Sequence, residues 1–241
     1  QIATYDGKQW ILQKWFAQEL ATYKQEEWFH FLEFSKDGAF WAYSENTDDW
    51  SDGIKFIYHD LDGWSYYPNF KIVLHDESIV QGVSDSEIWF LAYRLKGRSK
   101  VYDSGVYHLS PKGLELVYPF EVSWHDQLAK SPDGKLWVEY RIQMQSNNSI
   151  IFRSFDGENW KYEFALPGVR YGSMVFAQNG DLWFYGLDSD QRGAYRYSHG
   201  QWTHYTIQGG LAGNNVSALY IAPDGAVWFV TEGGLTRYMP E

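Results

Sequence analysis

The sequence of 241 residues has no cysteine, which excludes disulfides and thiolate metal sites and leaves core packing to hold the fold. It has only seven prolines, and no low-complexity tract or linker interrupts it. No apolar stretch approaches the roughly 18 residues that a membrane-crossing helix needs, so membrane insertion is not expected. Positive charge is scarce as well: 20 Lys and Arg stand against 31 Asp and Glu, a formal net charge of -11. An acidic surface repels phosphate backbones, and nucleic-acid binding would require a local basic patch. The densest basic cluster, Arg94 to Lys100, is short, so no nucleic-acid partner is expected. HExxH, GxSxG, P-loop and EF-hand patterns are missing, and the sequence implies no cofactor, no metal and no assigned catalytic residue. The first residue is Gln1, not Met, which fits a processed secreted chain or a domain of a longer one.

What is abundant is aromatic. Phe, Trp and Tyr make up 20% of the chain, with 13 Trp and 19 Tyr, and such residues favour pleated, half-buried strands. They recur in register. The segments SKDGAFWAY, VSDSEIWFLAY, SPDGKLWVEY, AQNGDLWFYG and APDGAVWFVT each join a tight turn to an aromatic-led strand. Their tryptophans, Trp41, Trp89, Trp137, Trp183 and Trp228, are 48, 48, 46 and 45 residues apart. A repeat of this period is the mark of a stacked architecture.

A second pattern follows each of these by about twenty residues, as in IIFRSFDGENWKYEF, AYRYSHGQWTHYTI and IKFIYHDLDGWSYY. The second repeat has VYHLSPKGLELVY, with Leu116 read where the others carry Trp. Each unit therefore holds four short strands, a to d, joined by hairpin turns. The expected fold is all-β, a single five-bladed β-propeller of four-stranded antiparallel blades over residues 1–241. The blades span approximately 17–68, 69–118, 119–166, 167–208 and 209–241 plus 1–16. The N-terminal ATYDGKQWILQKW reads as a c–d hairpin, and GGLTRYMPE stops after strand c, so a strand near Lys8 to Lys14 is expected to complete the last blade. Both Ile2 to Tyr5 and Leu235 to Tyr238 read as strand c, although one blade needs only one.

The segment from Gly209 to Tyr238 resembles the repeat of the two-component-regulator propeller family, found in extracytoplasmic sensor regions of bacterial signalling proteins. The resemblance rests on Gly210-Leu211, Asn215, Asp224-Gly225, Trp228-Phe229, Thr231 and Gly234-Leu235. It is specific in this last repeat and looser in the others. It implies sensing or binding in a secreted or periplasmic setting, and it implies no reaction. SFDGENW, from Ser154 to Trp160, resembles the Asp-box turn of sialidase-like propellers, a folding device that suggests no activity.

In a propeller, loops at one end of the blades surround the central channel and carry function on a rigid frame. The positions leading into strand a do not repeat: Trp28, Asp76, Trp124, Arg170 and Asn215 share one column. Neighbouring columns add Glu77, His125 and Tyr171, then His30 and Asp126. Four tryptophans outside the scaffold columns, Trp15, Trp28, Trp50 and Trp124, map to the same end. Aromatic rings beside Asp, Glu, His and Arg suit a sugar or a cationic ligand through stacking and polar orientation; packing beneath loops is the alternative role. The divergence argues for one asymmetric site, not five identical ones.

The expected ligand-binding residues are Trp28, His30, Asp76, Glu77, Trp124, His125, Asp126, Arg170, Tyr171 and Asn215. The partner is a small molecule or glycan, or a protein, and the chain is expected to be monomeric. Two alternatives stand beside the binding module. Asp76, Glu77, Asp126, Glu26 and Glu27 could supply paired carboxylates for a polysaccharide-acting hydrolase or lyase. A structural or protein-interaction propeller would instead show an exposed apolar patch.

Overall fold

Alternation of apolar and polar residues on either side of Asp-Gly and Asn-Gly turns folds here as antiparallel strands. The computed structural model describes residues 3–5, 8–12, 28–34, 39–45, 54–60, 63–70, 72–81, 87–95, 101–122, 126–143, 148–167, 172–186 and 192–240. Among them the only helical element is a 3-10 turn at Ile207–Gly209, and no helix is long and apolar enough to cross a membrane. The chain divides into two compact units, Gln1–Val73 and Leu74–Glu241.

In the first unit, β1 (Ala3–Tyr5) and β2 (Trp10–Leu12) form a hairpin in which Tyr5 stands opposite Trp10. β3 (Trp28–Phe34), β4 (Phe40–Glu45), β5 (Ile54–Asp60) and β6 (Gly63–Phe70) form a four-stranded meander. Trp41 on β4 is 1% exposed, with Tyr58 and Tyr67 ring centres 4.9 and 5.3 Å away.

The second unit holds four sheets in chain order. The first contains β7 (Ile72–Gln81), β8 (Ile88–Leu95), β9 (Val101–Ser110) and β10 (Gly113–Pro119). The next contains β11 (Gln127–Lys130), β12 (Leu136–Gln143), β13 (Asn148–Phe155) and β14 (Trp160–Pro167). Then come β15 (Gly172–Phe176), β16 (Leu182–Gly186), β17 (Gly193–Ser198) and β18 (Gln201–Tyr205). The last sheet has three described strands, β19 (Val216–Ile221), β20 (Val227–Thr231) and β21 (Gly234–Tyr238). Each of the first three sheets buries one face on the next. Trp89, Leu91 and Val106 meet Leu128, Leu136 and Val138; Ile150, Phe152 and Leu166 meet Met174, Leu182 and Phe184; Trp183 and Ala194 meet Val216, Val227 and Phe229. Face-to-face burial of this kind is the main stabilising contribution in repeat folds.

The turn chemistry explains the sharp reversals. SPDG, AQNG and APDG fold alike, each closed by two backbone hydrogen bonds: Gly134 N to Ser131 O, Gly180 N to Ala177 O and Gly225 N to Ala222 O, all 2.9 Å, with Ser131 N, Ala177 N and Ala222 N donating to Lys135 O, Asp181 O and Ala226 O. The glycines sit at φ of 87, 91 and 83°, a region that L side chains avoid. In SFDGENW, Asp156 Oδ1 accepts from Glu158 N and Asn159 N at 2.9 and 2.8 Å, the short-range bonding of a turn-forming aspartate.

One sequence alignment is corrected by register. Leu114 stands opposite Leu109, as Trp64 stands opposite His59 and Trp202 opposite Tyr197. The tryptophan-equivalent position is thus Leu114, not Leu116, because Pro111 and Lys112 form a two-residue turn that brings Gly113 opposite Ser110. At the chain start, β2 pairs with β1, so Ala3–Leu12 carries both c-like and d-like strands.

Candidate functional site

The residues expected at the strand-a ends fall into three groups. Trp124, His125, Arg170 and Tyr171 lie outside the described residues, as do Glu26, Glu27, Trp15 and Trp50. Trp28 and His30 are the first and third residues of β3, and their side chains are outside what is described. The same holds for Asp76 and Glu77. These two do not precede their strand: β7 begins at Ile72, so they lie within it. Asp126 and Asn215 are described in full, each immediately ahead of its strand.

Asp126 is 1% exposed, and its Oδ1 accepts a hydrogen bond from Arg141 N at 3.1 Å, extending the β11–β12 ladder by one side-chain link. The next residue, Gln127, joins two sheets. Its Oε1 accepts from Met174 N at 2.8 Å and its Nε2 donates to Ser173 Oγ at 3.2 Å, tying the leading ends of β11 and β15 together. Opposite Gln127 on β12 stands Glu139, 2% exposed. Strand alternation puts Glu139 on the same face as Trp137, whose ring lies 5.4 Å from that of Phe176 on β15.

Glu139 is therefore an acid buried in a seam whose other described partners are apolar rings and the neutral Gln127 and Ser173, with Asp126 at its edge. Its Oε2 has no hydrogen-bond partner among the described residues. Burial pushes its carboxyl well above the usual carboxylate range, and the negative charge of Asp126 adds to the rise. The pair is a carboxyl biased toward its protonated form beside a carboxyl bonded to the backbone. Two carboxyl groups whose surroundings differ in this way can divide proton donor and anion roles.

Reasoning from sequence selects Asp126 and passes over Glu139, although a signal is present. Two residues beyond the strand-b tryptophan, the five repeats carry Tyr43, Leu91, Glu139, Tyr185 and Val230. One charge in an apolar column on a face shared with a half-buried tryptophan marks a site that packing alone does not require.

Asn215 occupies a different setting. Its backbone N donates to Glu232 Oε2 at 2.8 Å, while the neighbouring Asn214 Oδ1 accepts from Ile207 N at 2.7 Å. Ala212 N donates to Thr236 Oγ1 at 2.8 Å, and Thr231 Oγ1 donates to Gly234 O at 2.8 Å. A Cβ on Gly233 would stand 1.9 Å from Ala212 O, so glycine is required for this approach. The motif residues here build the loop into β19.

The opposite end of the β7–β10 sheet holds a concavity of about 400 Å³, lined in part by Glu87, His108, Lys112 and Glu115. His108 stacks on Trp89 with ring centres 4.1 Å apart, and its Nε2 lies 3.5 Å from Glu87 Oε2. Among the described residues no group of three or more His, Asp or Glu is placed to hold a metal ion.

Residues 210–233 match the family described as two component regulator propeller. No curated protein matches the sequence. Among solved structures, the fold is similar to an oligogalacturonate lyase in complex with manganese, at 12% identity and a TM-score of 0.61, over 90% of this chain and 67% of that one. It is similar to a mutant puromycin hydrolase at 10% identity and a TM-score of 0.56, over 87% of this chain and 36% of that one. Oligopeptidase B from Leishmania major gives 10% identity and a TM-score of 0.50, over 99% of this chain and 37% of that one. The chain thus spans little more than a third of the length of the latter two. These likenesses concern the fold, and the sheets described above are blades of the β-propeller type.

Proposed function

We propose that the chain is an extracytoplasmic ligand-binding or sensor module, with one asymmetric site at the leading ends of the first strands around β11 and β15. The resemblance of residues 210–233 to the two-component-regulator propeller repeat supports that setting. The observation that carries the site is the seam itself. Gln127 locks the starts of β11 and β15 together over the buried Asp126–Glu139 pair, and the residues next in sequence ahead of those strands are Trp124-His125 and Arg170-Tyr171. Aromatic, cationic and imidazole groups in the segments next in sequence to two joined strands offer stacking and polar orientation, the combination suited to a carbohydrate or a comparable polar small molecule. Trp28, His30, Asp76, Glu77 and Asn215 belong to the same proposal at the corresponding strands of other blades.

The proposed ring has five blades, and the last sheet, which holds three described strands, takes its fourth from the N-terminal region. The Tyr5–Trp10 pairing supports this, because it reproduces the c–d pairing of Tyr197 with Trp202.

One observation favours a second reading. Asp126 and Glu139 are adjacent carboxyl groups of unlike environment, the arrangement that acid–base chemistry on polysaccharides uses, and the fold resembles that of an oligogalacturonate lyase. Under this reading the chain would degrade a polysaccharide as well as bind it.

The test is a screen of glycans and small metabolites read by intrinsic tryptophan fluorescence, with product release followed in parallel. A saturable response lost in Trp124→Ala and weakened in Arg170→Ala supports the binding module. Turnover lost in Glu139→Gln supports the enzyme. No response to any compound rejects both and leaves a protein-interaction propeller.

A further inference from the structure

The seam between β11 and β15 closes over a group that, among the described residues, no counter-charge meets. Glu139 is 2% exposed and its Oε2 is unpartnered among those residues. From β11 comes the neutral amide of Gln127, its cross-strand neighbour, with Asp126 directly ahead of that strand. From β13 comes Phe152, its other cross-strand neighbour. Trp137 and Arg141 flank it on β12, and β15 contributes Ser173 and Met174 through their bonds to Gln127. The charged or titratable groups on the segments ahead of the two strands are His125 and Arg170, outside the described residues.

We propose that a proton resident on Glu139 keeps the β11–β15 seam closed, and that its loss loosens the leading ends of both strands. An ionised Glu139 would stand beside Asp126 as a second buried negative charge. Desolvating two like charges in one seam is unfavourable, and the structure relieves it by admitting water or separating the strands. Gln127 is the link that gives way, since its two bonds to Ser173 and Met174 are the polar ties described between the leading ends of the two strands. The raised carboxyl of Glu139 supports the same direction. A folded-state value above the unfolded one means that the folded state binds the extra proton, so stability is greatest below the ordinary carboxylate range and falls as pH rises through the raised value.

The consequence for ligand binding rests on the proposed function: a site carried on these strand ends would be pre-organised in acid and relaxed in alkali. The seam itself is tested without any ligand, so its failure and that of the binding reading are separable.

The experiment is hydrogen exchange of residues 126–130 and 172–176, corrected for intrinsic pH dependence, together with thermal unfolding between pH 5 and 9. In the wild type, exchange at these strands should accelerate with pH, by at most about tenfold per pH unit. In Glu139→Gln, a neutral isostere, the acceleration should vanish. In Asp126→Asn the pH at which the acceleration levels off should fall, because the Asp126 charge raises the Glu139 carboxyl beyond what burial alone does. A levelling-off moved to higher pH would overturn the like-charge repulsion on which the loosening depends. Equal exchange in wild type and Glu139→Gln across the range overturns the proposal. So does a rise in the unfolding midpoint with calcium chloride that Glu139→Gln abolishes, since the seam would then hold a cation instead of a proton.

Discussion

Arg196 on β17 meets Asp181 in the turn ahead of β16, Nη2 to Oδ2 2.6 Å, while its guanidinium lies 5.7 Å from the centre of the Trp183 ring. The same trio recurs one sheet on: Arg237 meets Asp224 at 2.9 Å and lies 6.0 Å from the ring of Trp228. In the β7–β10 sheet the position opposite the tryptophan is His108, stacked on Trp89 and facing Glu87. The β11–β14 sheet puts Ser154 opposite Trp137 and bonds it to Glu163 at 2.6 Å. In the last two sheets a strand-c arginine thus braces the strand-b tryptophan and is itself held by an aspartate, and in the β7–β10 sheet His108 stacks on the tryptophan in the same position. The brace belongs to the scaffold, which is why it repeats while the leading ends of the first strands do not.

The two arginine braces should differ in strength. Side chains of Arg196 and Asp181 are 17% and 5% exposed, against 43% and 57% for Arg237 and Asp224. Removing one partner of a buried pair leaves an uncompensated charge and costs about 3–5 kcal/mol, whereas exposed pairs contribute up to about 1 kcal/mol. Asp181→Ala should therefore lower stability in urea unfolding by several-fold more than Asp224→Ala. Equal losses would mean that the brace does not depend on burial.

Asp181 also sets the sign of the acid response. Burial pushes its carboxyl upward, but hydrogen bonds from Ser198, Arg196 and Asn179 and the Arg196 charge outweigh this and hold it below the usual range. A depressed folded-state value stabilises the fold above the ordinary carboxylate range, and that stabilisation is lost as pH falls through the depressed value. Thermal unfolding followed from pH 6 down to pH 2 should show the loss in the wild type and a flatter limb in Asp181→Asn. Glu139 has the opposite sign, so the two carboxyls bracket a pH of greatest stability from either side.

Much of this frame is readable from sequence because period and turn chemistry act locally. Trp41, Trp89, Trp137, Trp183 and Trp228 all lie on the second strand of their sheets, and Trp10, Trp64, Trp160 and Trp202 on hairpin strands d, where spacing from the Gly turns puts them. Leu116 displaces Leu114 in an alignment by residue type because such a match ignores the length of the Pro111-Lys112 turn. Asp76 falls at a strand entry when the repeats are aligned on strand b, yet the interval back to strand a varies between blades. The Asp126–Glu139 pairing is hidden for another reason: it depends on which strand faces which across the sheet, and a single repeat does not encode its neighbour's register.

Gly172, at the start of β15, is required for space. A Cβ there would stand 2.0 Å from Phe184 Cζ and 2.1 Å from Tyr185 O. Gly172→Ala should push β15 away from β16 and cost about 1–3 kcal/mol or more by overpacking. Gly209→Ala is the matched control, since nothing lies within 4 Å of its Cβ position, and a change within about 0.5 kcal/mol is expected. Chemical denaturation of both variants checks the contrast. If Gly172→Ala is as harmless as Gly209→Ala, β15 retains freedom despite the Gln127 link.

Trp183 is 0% exposed and joins two sheets, with ring centres 5.6 Å from both Phe229 and Tyr238 and 5.5 Å from Tyr205. Trp228 holds the equivalent strand-b position one repeat later but is only half-buried. Truncating a buried tryptophan removes its transfer free energy and leaves a cavity that neighbours fill incompletely, a loss of about 3–5 kcal/mol. Trp183→Ala should concentrate that loss at the contact between β16 and β20, so hydrogen exchange in β19–β21 should rise well before exchange in β11–β14. Trp228→Ala should leave the β15–β18 sheet protected, because its ring faces away from that contact. Uniform loss of protection across the second unit in Trp183→Ala would instead show that the sheets unfold as one cooperative body.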